Sequence, residues 1–139
     1  MAIYLGNNVG IKIATIDISD HVTSATLTQI FDELEVTTMG NSSHVMAKGL
    51  ENSTLQISFL NDFAASNVCA TLQAAYGTTV TAVVIPVKGT AVSATNPLYT
   101  VSILVNNLTP VNGAVGDEVS SSITFTCNST VVQTTTGTF

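Results

Sequence analysis

The sequence predicts a mainly β domain, two packed antiparallel sheets in a sandwich or barrel, with one flanking α-helix. Three observations lead there. About eight short segments alternate apolar and polar residues, separated by Gly, Asn, Asp and Pro turn signals. Only the stretch from Phe63 to Gly77 changes to apolar spacings of three and four, the period of a helix. With 139 residues the chain can bury one real core.

Taken in order, Ile3-Tyr4-Leu5 and Val9 to Ile13 flank Gly6-Asn7-Asn8, the pattern of a tight hairpin. Ile11 and Ile13 share a face, and Ile16 and Ile18 restart on the opposite parity, which predicts a turn or bulge at Ala14-Thr15. From Val22 to Asp32 the alternation puts Ala25, Leu27, Gln29 and Phe31 on one side. Glu33 to Met39 continues as strand, with Leu34 and Val36 inward and Glu33, Glu35 and Thr37 outward. Gly40 to Gly49 is a long polar interruption that also carries Val45-Met46. It reads either as an interaction arm or as a hairpin loop whose valine folds back on the core.

Leu55, Ile57 and Phe59 then alternate with Thr54, Gln56 and Ser58 in a strand that leads into the helix. Val68, Leu72, Ala75 and Tyr76 form the helix's apolar face. Ser66 or Asn67 is placed to cap its start, and Gly77 suits a left-handed stop. Thr79 to Val87 is apolar on both faces, which predicts a central strand ended by Pro86. After a loop over Lys88 to Pro97, Leu98 to Asn107 aligns Tyr99, Val101, Ile103 and Val105. Asn112-Gly113 and Gly116-Asp117 supply turns. In the next strand Glu118, Ser120, Ser122, Thr124 and Thr126 face one way, and Val119, Ile123, Phe125 and Cys127 the other. The threonine-rich residues 128–139 read as a disordered tail or an arm that orders on a neighbour, leaving residues 1–127 as the domain.

Composition narrows the function. Lys12, Lys48 and Lys88 are the only cations besides histidine, against nine carboxylates, for a net charge of −6. Binding to phosphates through counterion release needs clustered Lys or Arg, so a nucleic-acid-gripping surface is excluded. Serine and threonine supply about a quarter of the chain, so hydroxyls must provide much of its solubility. The opening residues lack the charged and apolar regions of a signal peptide, and no run of 18 apolar residues predicts a membrane span. Two cysteines, Cys69 and Cys127, are too few for a disulfide framework and read as free thiols of a cytosolic protein.

No catalytic, cofactor-binding or metal residues are assigned. His21 and His44 sit in separate segments, and a mixed site with Cys69 and Cys127 has no ligand spacing to recommend it. Neither a G-x-S-x-G elbow nor a phosphate-cradling glycine loop is present. Asp32, Glu33 and Glu35 read as a solvated strand face rather than an acid–base couple. The N-x-S/T sequons at Asn41, Asn52, Asn107 and Asn128 match the frequency that this composition gives by chance.

Four pieces, in order, resemble the major tail tube proteins of tailed bacteriophages, particularly those with long non-contractile tails. They are Asp17-Ile18-Ser19-Asp20-His21-Val22 and Glu35-Val36-Thr37-Thr38-Met39-Gly40, then Asn61-Asp62-Phe63-Ala64-Ala65. The last is Ala91 to Pro97, followed by Gly116-Asp117 and Ser122 to Phe125. Together they span roughly residues 10–127. The resemblance implies hexameric rings that stack into a tube for genome ejection, in a virion tail assembled in the host cytoplasm. Its partners would be further copies of the chain, a tape measure protein, and tail terminator or tail tip proteins. DNA would pass through without specific binding, and no membrane is involved. Six chains at −6 give −36 per ring, an acidic channel to which a polyanion does not adhere.

On this reading Glu33, Glu35, Glu118, Ser120, Ser122 and Thr124 are candidates for the lumen lining, and His44, Val45, Met46 and Lys48 for a ring-stacking loop. The loop departs from relatives, which often carry more basic residues there. Two alternatives are a tube subunit of a bacterial secretion or contractile injection system, and a monomeric β-sandwich binding module. The module would need exposed aromatics, yet the chain has no tryptophan and three tyrosines.

Overall fold

The computed structural model describes Ile3 and residues 5–139. Its strands are β1 (Gly10–Ile13), β2 (Ile16–Asp17), β3 (Val22–Thr28), β4 (Phe31–Glu35), β5 (Met46–Glu51), β6 (Thr54–Leu60), β7 (Thr79–Ile85), β8 (Leu98–Leu104), β9 (Ser120–Cys127) and β10 (Val132–Thr134). One α-helix, α1 (Val68–Ala75), lies between β6 and β7, and a 3-10 turn covers Ser19–His21. The fold is the expected one: mainly β, antiparallel throughout, with a single α-helix among the described residues.

Eight strands share one hydrogen-bonded path, β2-β1-β7-β8-β9-β6-β3, with β10 also on β8, while β4 and β5 form a sheet of their own. The path turns a corner at β8 and β9, which share only the pairs Ile103↔Cys127 and Leu104↔Thr126. Two layers thereby face one another. Ile11, Ile13, Ala82, Val101 and Ile103 from one side meet Leu55, Ile57, Phe59, Ile123 and Phe125 from the other in one buried cluster. As its two apolar faces predict, β7 is central, between β1 and β8, and it ends at Ile85, before Pro86. The Ala14-Thr15 turn closes β1 onto β2 with both residues at positive φ. The alternation of β9 is realised from Ser120 onward, with Ser121, Ile123, Phe125 and Cys127 buried and the residues between them exposed. Glu118 and Val119 precede the strand, and Val119, expected on the inward face, is exposed.

Two long-range registers organise the molecule. From Ile103↔Cys127 to Thr100↔Val132, three steps along β8 match five along the other strand. β9 and β10 are therefore one strand with a two-residue bulge, crossing from one layer to the other. Asn128 N donates to Ser102 O at 2.6 Å and Ser102 N to Ser129 Oγ at 3.0 Å across that bulge. The second register joins β3 to β4 and β5 to β6. Thr28↔Thr54 and Phe31↔Glu51 keep the same alignment, and Asn52 N donates to Ile30 O at 2.6 Å between them. One hairpin thus runs from Val22 to Leu60. Its base packs in the sandwich, and its distal half, β4–β5, leaves it.

Several expectations need correction. The tail is neither disordered nor waiting for a neighbour. β10 pairs with β8, Val131 is buried in the core, and the Phe139 ring lies against Gly10 and 4.6 Å from Lys12 Nζ. Its threonines are β-branched and favour the extended chain that continues β9. Of the expected N-terminal strand, Ile3 and Leu5 are exposed and outside any strand, and Tyr4 lies outside the described residues. The helix begins only at Val68, so Phe63 stays exposed. It ends at Ala75, where Tyr76 turns extended (ψ 130°) and its ring points out, leaving the helical face it was assigned to. Asn67 occupies the cap position without capping through its side chain, which instead donates to Asp62 Oδ2 at 2.7 Å.

Candidate assembly surface

The β4–β5 hairpin is an arm without a core. β4 ends at Glu35 rather than Met39, and the face of Leu34, with Val36 just beyond the strand, is not inward: they are 54% and 48% exposed. The register adds Ala47, paired with Leu34, and Val45, whose carbonyl accepts from Val36 N at 2.8 Å. The other face carries Phe31, Glu33 and Glu35 beside Met46 and Lys48. Of the predicted loop Gly40 to Gly49, residues from Met46 onward are strand instead, because each finds a partner on β4. Gly49 is required there, since a Cβ would stand 2.9 Å from the Asp32 carbonyl oxygen.

Polar groups on the arm satisfy one another. His44 Nδ1 contacts Glu35 Oε2, Thr37 Oγ1 donates to the same oxygen at 3.2 Å, and Val45 N donates to Thr37 Oγ1 at 2.9 Å. Lys48 pairs in register with Glu33 and holds its ammonium 4.6 Å from the Phe31 ring centroid. At the apex, Asn41 Oδ1 accepts from Thr38 N at 2.8 Å and Thr38 Oγ1 at 3.0 Å, and Gly40 takes φ +92°. Met39 projects from this tied turn fully exposed. Glu33 and Glu35, assigned to the lumen, and His44, Met46 and Lys48, assigned to stacking, are thus facing strands of one element.

A separate polar surface lies on the outer face of β3, β6 and β9. The registers stack Ser24, Ser58 and Ser122 in one row, Thr26, Gln56 and Thr124 in the next, and Thr28, Thr54 and Thr126 in a third. Ser58 Oγ donates to Ser122 Oγ at 3.0 Å within the first row. These rows carry hydroxyls and an amide but no charge. Ser120, Ser122 and Thr124 belong to this face, Glu118 sits just beyond its end, and Glu33 and Glu35 are not on it. Sequence reading found the β9 row. The polar parity of Thr54-Gln56-Ser58 is also legible there, but neither that row nor Ser24-Thr26-Thr28 of β3 is assigned from sequence to a candidate surface.

Among the described residues no cationic patch is formed. Lys88 pairs with Asp17 at 2.9 Å and Asp20 at 3.5 Å, while Lys12 and Lys48 lie over aromatic rings. The Asp17 partner comes first in raising the Lys88 ammonium above its usual range. His21 pairs with Asp62 at 2.9 Å, far in sequence from the His44–Glu35 pair. Cys69 and Cys127 are both free and buried, and burial, foremost, raises each thiol above its usual range. Among the described residues no helix is long and apolar enough to cross a membrane. A scan against protein-family models finds no match for this chain, and a search of curated proteins finds none.

Proposed function

We propose that this chain is a structural, self-assembling subunit without enzymatic role: the tail tube protein of a bacteriophage with a long non-contractile tail, whose hexameric rings stack around a genome channel. One observation carries the reading. An isolated two-stranded hairpin is marginal in water, yet β4–β5 extends beyond the core with both faces open. Eight large apolar side chains on or beside it stand open, namely Ile30, Phe31, Leu34, Val36, Met39, Val45, Met46 and Leu50. Spread over both faces of one hairpin, they are the kind of apolar surface that a protein interface buries. A second copy is the natural cover, because the arm and the surface it needs are then supplied together in every subunit.

The hydroxyl rows of β3, β6 and β9 support a channel wall that is neutral and wettable rather than adhesive. DNA would meet no ammonium there. β3 also presents an open strand edge among the described residues, which pairing with a neighbour would close. Sedimentation velocity with negative-stain microscopy tests the reading. Wild-type protein should form rings or hollow tubes as concentration rises. Leu34→Asp with Val36→Asp should leave a folded monomer that does not assemble, since both side chains lie outside the core. A wild-type chain that stays monomeric at high concentration sinks the proposal and favours the monomeric binding module.

A further inference from the structure

Each subunit carries both an apolar projection and, far from it in sequence, an apolar recess. The recess is a cavity of about 170 Å³ between α1 and the segment Leu108–Pro110, walled by Phe59, Phe63, Cys69, Ala70 and Gln73. No charged side chain lines it. Phe63, 64% exposed, forms its rim, and Val111 and Val119 are exposed on the chain that follows the far wall. The projection is Met39, held out on the apex that Asn41 ties down, within the uncharged run Thr37 to Ser43.

We propose that this recess receives Met39 from the arm of a second copy; the inference rests on the assembly reading above and names where the arm docks. Charge argues for it. In a chain of net −6 the approach of two copies is repulsive, and a contact between two uncharged patches adds no like-charge pair. Shape and chemistry agree: the cavity suits one unbranched side chain, and a thioether gains from the ring edges of Phe59 and Phe63. Area agrees as well, because the rest of the exposed arm would lie over the neighbour's surface and supply the burial that one methionine cannot. Projection and recess are different patches on one molecule. The contact is therefore head-to-tail, which generates a closed ring or an open filament rather than a two-fold dimer.

The test mixes full-length Met39→Cys protein with full-length Gln73→Cys protein under mild oxidation. Both are made in a Cys69→Ala background, because the Cys69 thiol lines the same recess, and each variant alone is the control for Cys127. The expected result is a disulfide-linked heterodimer that forms only in the mixture. Met39→Ala, at a fully exposed position, should raise the concentration needed for assembly about tenfold without changing the melting temperature. Assembly that proceeds without the cross-link, and equally well in Met39→Ala, overturns the docking site while leaving self-assembly standing. Wild type that never assembles overturns both.

Discussion

At the scale of single residues, Asp62, half-buried at the strand-to-helix junction, gathers several hydrogen bonds. Its carboxylate accepts from Ala64 N at 2.9 Å, Asn67 Nδ2 at 2.7 Å and His21 Nε2 at 2.9 Å, while its carbonyl accepts from Cys69 N at 3.1 Å. The Ala64 amide, foremost, holds the carboxyl below its usual range; burial opposes this, and the His21 charge and further hydrogen bonds reinforce it. A carboxyl depressed in the folded state binds fewer protons than in the unfolded chain. Its contribution is therefore present above the ordinary carboxylate pKa, about 4, and is lost as pH falls through the depressed value. Asp62→Asn should melt earlier than wild type near neutrality and converge with it in acid. Melting curves from acid to neutral pH check this, and a gap that persisted unchanged in acid would remove the carboxylate from the account. The sequence offered Ser66 or Asn67 for the task. A short polar side chain near a helix start is easy to see, but the helix amide Cys69 N donates instead to the main-chain carbonyl of Asp62, across a turn in which Ser66 takes φ +64°.

At the scale of elements, parity was legible and partnership was not. The alternation of β9 and the apolar run of β7 identify a buried face because their neighbours lie within the same chain. In β4 the same rule separates Leu34 and Val36 from Glu33 and Glu35 correctly, but period alone does not say whether anything covers the apolar side. The tail failed in the opposite direction. Residues 128–139 have almost no apolar pattern, yet Val131 is buried and its amide donates to Glu51 Oε2 at 3.0 Å, tying the tail to the base of the arm. Deleting residues 128–139 should therefore impair folding first, and assembly only as a consequence. Val131→Ala should cost about 1–3 kcal/mol by emptying a core position. Urea unfolding of both variants decides it: a truncated chain as stable as wild type would make the tail a dispensable strap.

For the whole molecule, the balance lies between a repulsive net charge and uncharged contact surfaces. Each copy carries −6, and the three lysines already have partners in their own chain, so few cations remain for ion pairs between subunits. In the proposed assembly, association through the arm rests on apolar burial, which salt does not screen, while the opposing repulsion between subunits is screened. The Debye length falls from roughly 30 Å at 0.01 M to 10 Å at 0.1 M, from beyond the reach of neighbouring subunits in a ring to within it. Raising ionic strength over that range should lower the concentration at which assemblies appear, and further additions beyond it should matter less. Scattering intensity across a sodium chloride series reads this directly. An assembly held instead by intersubunit ion pairs would respond with the opposite sign, dissolving as salt rises, and that outcome would move the cohesive contacts from the arm's apolar face to its Glu33, Glu35, His44 and Lys48 side chains.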